Sequence, residues 1–432
     1  MTVLPDRAGI DRPLRRKLDH MSGFSAPSSA HSADPTVPGL DVPLGDVNAV
    51  GRVVKFHAPE IVFGVGSTGE VAHAVARLGG VRPFLVTDVG LLEAGWVAAI
   101  EKELREHGMA PVVWAEPTPN PKDHEIAAGH VVYRDRGCDV LVAIGGGSVM
   151  DAAKGVAILA SNGGRILDYE GVDTVESPIP PVVMVPSTAG TGADVSQFCI
   201  VTDTDRGTKI TILGRALVPD ITIIDPRLLT TMPEWLSAAT GLDALTHGIE
   251  AFVSLAHNPL TDHHALRAVT LVIETLAHTI ADPDGLPART VMAQASLEGG
   301  LAFTNAILGA AHAMSHQVGG LLDLPHGVIN GILLPHVIRF NAGADGRPYV
   351  PVAASLGLPE ARGSAAEAAF AVADRVETLA RAVGVPRTLG NIGVTDADVE
   401  RLAEFSLRDA CMATNPRPAT QSDIAALFRK AL

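Results

Sequence analysis

The chain has 432 residues, of which 47 % are hydrophobic and 19 % charged. That much apolar material excludes a wholly disordered chain, and the length allows two domains of ordinary size. The formal charge of −15 repels nucleic-acid phosphates and anionic lipid, and no clustered basic run offsets it.

Three cysteines, Cys138, Cys199 and Cys411, share no metal-ligand spacing and cannot all pair with one another. They read as free thiols of a reducing, cytoplasmic compartment. Arg15-Arg16-Lys17 is followed by Ser, His and Asp and not by an apolar segment, so it does not read as an export signal. Residues 299–322 form the longest stretch without Asp, Glu, Lys or Arg, but they include Asn305, His312, Ser315, His316 and Gln317. A membrane span would leave those groups unpaired in lipid, so the stretch is expected to be a buried helix and not a membrane segment.

Residues 1–50 are rich in Pro, Ser and Asp and are expected to form a mobile arm. From residue 55 strands and helices alternate. Strands are expected at 60–63, 83–87, 111–115 and 139–144, with helices at 66–78, 91–107, 123–136 and from Gly147 to about 160. A strand at 182–185 continues the sheet. Residues 198–202 and 208–212, joined through Asp205-Arg206-Gly207, read as a hairpin, and 221–224 is the last strand. Unbroken apolar strands alternating with helices imply a mostly parallel sheet covered on both faces.

After Pro226 the strand signals end, and helical patterns run over 238–253, 260–277 and 366–382. The expected organisation is therefore an arm at 1–50, an α/β domain at 51–230 and an all-α domain at 231–432.

Two glycine-rich segments follow strands. The first is Gly145-Gly146-Gly147-Ser148, which opens a helix. The second is Ser187-Thr188-Ala189-Gly190-Thr191-Gly192. Backbone N–H groups at a helix start, with no Cβ in the way, suit a phosphate. Both loops fall at carboxyl ends of strands, so together they could hold a diphosphate. The first is neither a GxGxxG fingerprint nor a Walker A loop. Asp88, at the end of an early strand, can accept from ribose hydroxyls, cap a helix, or do both.

In the helical half, Asp243 and His247 stand at i and i+4, as do His312 and His316, and His326 follows Leu324-Pro325. Their neighbours are Ala, Leu, Gly and Met. A buried carboxylate with several buried imidazoles needs partners, and tetrahedral N/O ligation of Zn²⁺ or Fe²⁺ supplies them. His263 and His264 follow Asp262 at a helix start and read as a solvated face. His57, His107 and His257 carry no special signal.

Together these segments resemble the iron-containing (group III) alcohol dehydrogenases. The likeness rests on Gly145-Gly146-Gly147-Ser148-Val149-Met150-Asp151-Ala152-Ala153-Lys154, Thr188-Ala189-Gly190-Thr191-Gly192, Asp243…His247, His312…His316…His326 and Thr414-Asn415-Pro416-Arg417. It spans residues 55–432. It implies the dehydroquinate synthase-like fold: a dinucleotide-binding α/β domain, an all-α metal-binding domain, and an active site between them.

By the same resemblance Asp243, His247, His312 and His326 bind the metal, Fe²⁺ or alternatively Zn²⁺, and His316 stands off as a proton relay. Gly146, Gly147, Ser148, Asp151, Thr188 and Thr191 hold NAD. Asp88 lies near the adenosine ribose and Asn120 on the adenine side. The implied reaction is reversible hydride transfer between a small alcohol, or its aldehyde, and NAD, in a homodimer or larger homo-oligomer. Two features depart from the family pattern: Asp194, where a Glu is usual, and the long arm. Two alternatives stay open, a relative that keeps the fold without turnover and a member whose tightly held NAD(H) is recycled by an external acceptor. A sugar-phosphate substrate would need basic residues that the histidine segments lack.

Overall fold

The chain is described from residue 55 to residue 432 as a computed structural model; the expected arm at 1–50 lies outside the described residues. Among the described residues nine strands form: β1 (Glu60–Phe63), β2 (Pro83–Val86), β3 (Val112–Trp114), β4 (Val140–Gly145), β5 (Gly171–Val172), β6 (Val182–Pro186), β7 (Phe198–Asp203), β8 (Thr208–Leu213) and β9 (Ile221–Ile224). Six of them form a parallel sheet in the order β1-β9-β6-β4-β2-β3. Helices cover both faces, which is why β4 is apolar and buried at every position. Phe84, Leu141 and Met184 pack on one side of the sheet, and Leu85, Val142 and Val183 on the other.

Register places the site. Gly145 of β4 lies opposite Pro186 of β6, so the two glycine-rich loops leave the sheet side by side. The hairpin of β7 and β8 forms as expected, but it joins β5 in a separate three-stranded sheet. The helix expected over 91–107 is two, Val89–Glu93 and Trp96–Glu106, because Gly95 between them adopts φ +81°.

The helical lobe begins at Glu234. Its central helix, Glu234–Val253, is buried over nearly its whole length and packs against Pro259–Ala281, Leu286–Ala306 and His326–Ala342. The helix Pro259–Ala281 starts where Asn258 accepts from the N–H groups of Leu260 and Thr261, with Pro259 in the first turn.

The single helix expected over 299–322 is broken. One helix ends at Ala306 and the next runs Ala310–Leu322, with Ile307 at φ +59° between them. Distant side chains hold the break. Asn415 Oδ1 accepts from Ala310 N at 3.1 Å, Glu250 Oε1 from Ala311 N at 2.7 Å, and Thr414 Oγ1 donates to Leu308 O at 2.6 Å. Both lobes belong to one compact unit. Among the described residues no helix is long and apolar enough to cross a membrane.

Lys154 ties the helix that follows the first glycine-rich loop to the segment that follows the second. It sits fully buried on the helix Gly147–Asn162, and its Nζ donates to the carbonyls of Ala193, Ser196 and Phe198 at 2.8, 2.7 and 2.9 Å. Lys154→Met keeps the volume but strands three buried carbonyls. It should lower unfolding stability by about 2–4 kcal/mol, at the scale of a lost buried charged donor, read from the urea midpoint.

Candidate active site

Every residue singled out from the sequence as a site candidate lines one cavity of about 620 Å³, which runs from the glycine-rich loops to the buried histidines. At its inner end Asp243, His247 and His312 bring ligand atoms within 4.8 Å of one another, all three residues buried. Each is oriented by a partner. His247 Nδ1 lies 3.0 Å from Gly190 O, and its ring stacks on Phe303 at 4.3 Å and on His312 at 4.7 Å. His312 Nδ1 lies 2.6 Å from Glu250 Oε2. Asn330 Nδ2 donates to Asp243 Oδ1 at 2.8 Å.

Gly190 matters twice. A Cβ there would lie 2.2 Å from Thr240 O, so only glycine lets this loop reach the central helix and present its carbonyl to His247.

His326 stands apart from the compact trio. It opens the helix His326–Ala342, lines the same cavity, and sits 4.9 Å from His316 between ring centroids. Its Nδ1 is buried without a hydrogen-bond partner. Gly327 behind it is pressed against the central helix, where an added Cβ would lie 1.7 Å from Ala239 O.

Electrostatics separate these groups. Burial pushes Asp243 upward, but the neighbouring His247 and His312 outweigh it and hold the carboxylate at about 2. Burial drives His247 down to about 4 and His326 well below its ordinary value. His312 goes the other way. Desolvation opposes its charge, yet hydrogen bonds with Asp243 and Glu250 raise it to about 9.

At the loop end, a Cβ on Gly146 would lie 3.1 Å from Thr188 and one on Gly147 would lie 2.9 Å from Thr191, so the two loops face each other closely. Asp88 is the N-cap of Val89–Glu93, accepting from Leu91 N at 3.0 Å, and also lines the cavity. Asn120, expected on the adenine side, also lines the cavity. Its N–H donates to Ser148 Oγ at 3.0 Å, its Oδ1 accepts from Lys209 Nζ at 2.6 Å, and its Nδ2 donates to Asp323. Lys209 and His326 both border Gly319: a Cβ there would lie 3.4 Å from the one and 3.3 Å from the other.

Asp151 is pushed up to about 7 by burial, against the pull of Lys154 and Lys209. Asp194 is buried and raised to about 6 by desolvation. It lies outside the large cavity, beside Ser296 and Asp225.

Several participants were not singled out from the sequence. Glu250 is three residues beyond His247 on the same helix, a spacing that could have revealed it. Asn330 follows His326 at i+4. Lys209 lies on the hairpin, where nothing local marks it; burial pushes its ammonium down to about 8, against Asp151 and Asp323. Asp409 holds His316 from 93 residues away. His264, expected on a solvated face, is half-buried. It stacks on Phe56 at 5.4 Å and pairs with Glu298 at 2.5 Å.

Comparison with known proteins agrees with this architecture. Residues 58–226 match the family described as iron-containing alcohol dehydrogenase, and residues 237–432 match its C-terminal domain. The 1,3-propanediol dehydrogenase of Klebsiella pneumoniae is 39 % identical over 383 residues, covering 88 % of this chain and 99 % of that one. The NAD-dependent methanol dehydrogenase of Bacillus methanolicus is 38 % identical over 377 residues, covering 87 % and 99 %. A crystal structure of 1,3-propanediol oxidoreductase superposes with a TM-score of 0.85 at 39 % identity, covering 88 % of this chain and all of that one. The chain belongs to the iron-containing alcohol dehydrogenase family. It is an oxidoreductase of that family, a metal- and NAD-dependent alcohol dehydrogenase and aldehyde reductase.

For an ion held by the expected set Asp243, His247, His312 and His326, these charge states would make binding depend on pH. At pH 7 His247 and His326 are already neutral and Asp243 is already ionised, so His312 alone carries a proton that an ion must displace. One proton should leave per ion bound, and apparent affinity should fall about tenfold per unit as pH drops below about 9. Calorimetry in buffers of different ionisation enthalpy measures the number released; a value near zero would remove His312 from the ligand set.

Proposed function

We propose that Asp243, His247, His312 and His326 hold Fe²⁺, or alternatively Zn²⁺, and that the glycine-rich loops hold NAD. The observation that supports this most is the single cavity joining both groups of residues. The donor set fits such an ion. It offers one ionised carboxylate, two imidazoles that burial keeps neutral (His247 and His326) and a third, His312, that gives up a proton to the ion, and His326 Nδ1 and Asn330 Oδ1 are buried polar atoms without partners. When bound, the ion supplies Lewis acidity to a substrate oxygen and the nicotinamide supplies the hydride acceptor.

The chain's own residues do the rest. Ser148, Thr188 and Thr191, with the N–H groups that open the helix Gly147–Asn162, face a diphosphate. Phe198, Phe303 and Leu308 line the cavity, exclude water and favour a short uncharged alcohol or its aldehyde. His316 takes up the alcohol proton on oxidation and returns it on reduction. The three free thiols, two of them buried, support a reducing cytoplasmic setting. The reading includes a homodimer or larger homo-oligomer, which sedimentation equilibrium tests.

His247→Ala tests the ligand set. It should lose the metal and nearly all turnover while still binding NAD, as read by elemental analysis and cofactor titration. Full metal occupancy in that variant would overturn the assignment.

Cofactor choice follows from Asp88. Its carboxylate faces the cavity, and among the described residues no arginine lines that cavity to neutralise a 2′-phosphate. NAD should therefore be preferred over NADP, and Asp88→Gly should raise kcat/KM with NADP more than it lowers kcat/KM with NAD. An unchanged ratio would remove Asp88 from cofactor selection.

A further inference from the structure

His316 and Asp409 come from distant parts of the chain and meet beside the metal-binding end of the cavity. The separation from His316 Nδ1 to Asp409 Oδ2 is 2.8 Å, with 7 % and 6 % of the two side chains exposed. The carboxylate is itself fixed. Its Oδ1 accepts from Cys411 N at 2.9 Å, which caps the turn Ala410–Thr414, and Gln317 Nε2 lies 3.4 Å from Oδ2. Among the described residues no Lys or Arg bonds to it, so His316 is its only cationic or potentially cationic partner.

An imidazole that donates from Nδ1 keeps its lone pair on Nε2. His316 Nε2 has no hydrogen-bond partner among the described residues, and the ring lines the cavity. Without a partner at Nδ1 the ring could flip or adopt the other tautomer, and a proton acceptor would no longer be presented there.

We propose that Asp409 is a positioning residue: it holds His316 as the Nδ1–H tautomer, with Nε2 directed at the reacting alcohol. The inference rests on the proton-relay reading of His316. His316, Asp409 and Cys411 also bring ligand atoms within 4.8 Å of one another. However, His316 Nδ1 and Asp409 Oδ2 already pair with each other and Asp409 Oδ1 with Cys411 N, so the dyad is satisfied without an ion.

The test is a double-mutant cycle on the metal-loaded enzyme. His316→Ala should lower kcat by roughly 10²–10⁴-fold, the range for a general base. Asp409→Ala should lower kcat by roughly 10–10²-fold, a part of that range, with KM for alcohol and NAD and metal content unchanged. The double variant should be no slower than His316→Ala, because Asp409 acts only through the ring.

Asp409→Asn carries the test if the alanine variant folds poorly. An amide that keeps its oxygen on Cys411 N turns its NH₂ toward His316 Nδ1 and selects the wrong tautomer. It should therefore be at least as slow as the alanine variant, which a role limited to capping the turn does not predict. Asp409→Asn at wild-type speed, or a double variant clearly slower than His316→Ala, overturns the inference. So does a second metal ion per chain that Cys411→Ser removes. His316→Ala at wild-type speed overturns both this inference and the relay it rests on, whereas a slow His316→Ala beside an unimpaired Asp409→Asn overturns the positioning role alone.

Discussion

Asp243, His247, Glu250 and His312 lie buried together, on helices otherwise made largely of alanine, leucine and other small or apolar residues. Removing one ion from water costs several kcal/mol, so none of these groups is tolerable alone. Each therefore has its charge or hydrogen bonds met by the others. Glu250 accepts from Ala311 N and from His312 through both its ring and its backbone, and so also caps the helix that carries His312. Asp243 is met by Asn330 and by the Nε2 side of His312. The cluster is at once a folding requirement and the cation site proposed above.

That double role explains the break at Ile307. A continuous helix would satisfy its own backbone and leave Glu250 facing no free N–H. Ending one helix at Ala306 and starting another at Ala310 exposes the donors that Glu250 and Asn415 accept from. The positive φ of Ile307, a costly conformation for a β-branched residue, persists because partners on both sides hold it.

The i, i+4 pairs Asp243/His247 and His312/His316 were legible because helix geometry alone puts both members on one face. The central strands were legible because burial on two faces demands unbroken apolar runs such as Val140–Gly145. The break at 307–309 was not, since its causes sit at positions 250, 414 and 415. The partners of Asn120 were not legible either, for a similar reason. What it faces depends on Lys209 and Asp323, which reach it from the hairpin and from the end of another helix. Glu250 was readable in principle, because it continues the Asp243/His247 stripe by one more turn.

The two lobes meet through polar contacts at the cavity itself. Gly190 O of one lobe orients His247 of the other, Asn120 donates to Asp323, and Lys209 borders Gly319 of the helix Ala310–Leu322. Any change in the position of the loops therefore reaches the imidazoles directly, with no long chain of intermediates. By linkage, whatever free energy NAD gains from a bound metal, the metal gains equally from bound NAD. Gly190 is the narrowest of these connections: its missing Cβ permits the approach and its carbonyl fixes a ring nitrogen, so the glycine-rich loop and the buried Asp243/His247/His312 cluster share one residue.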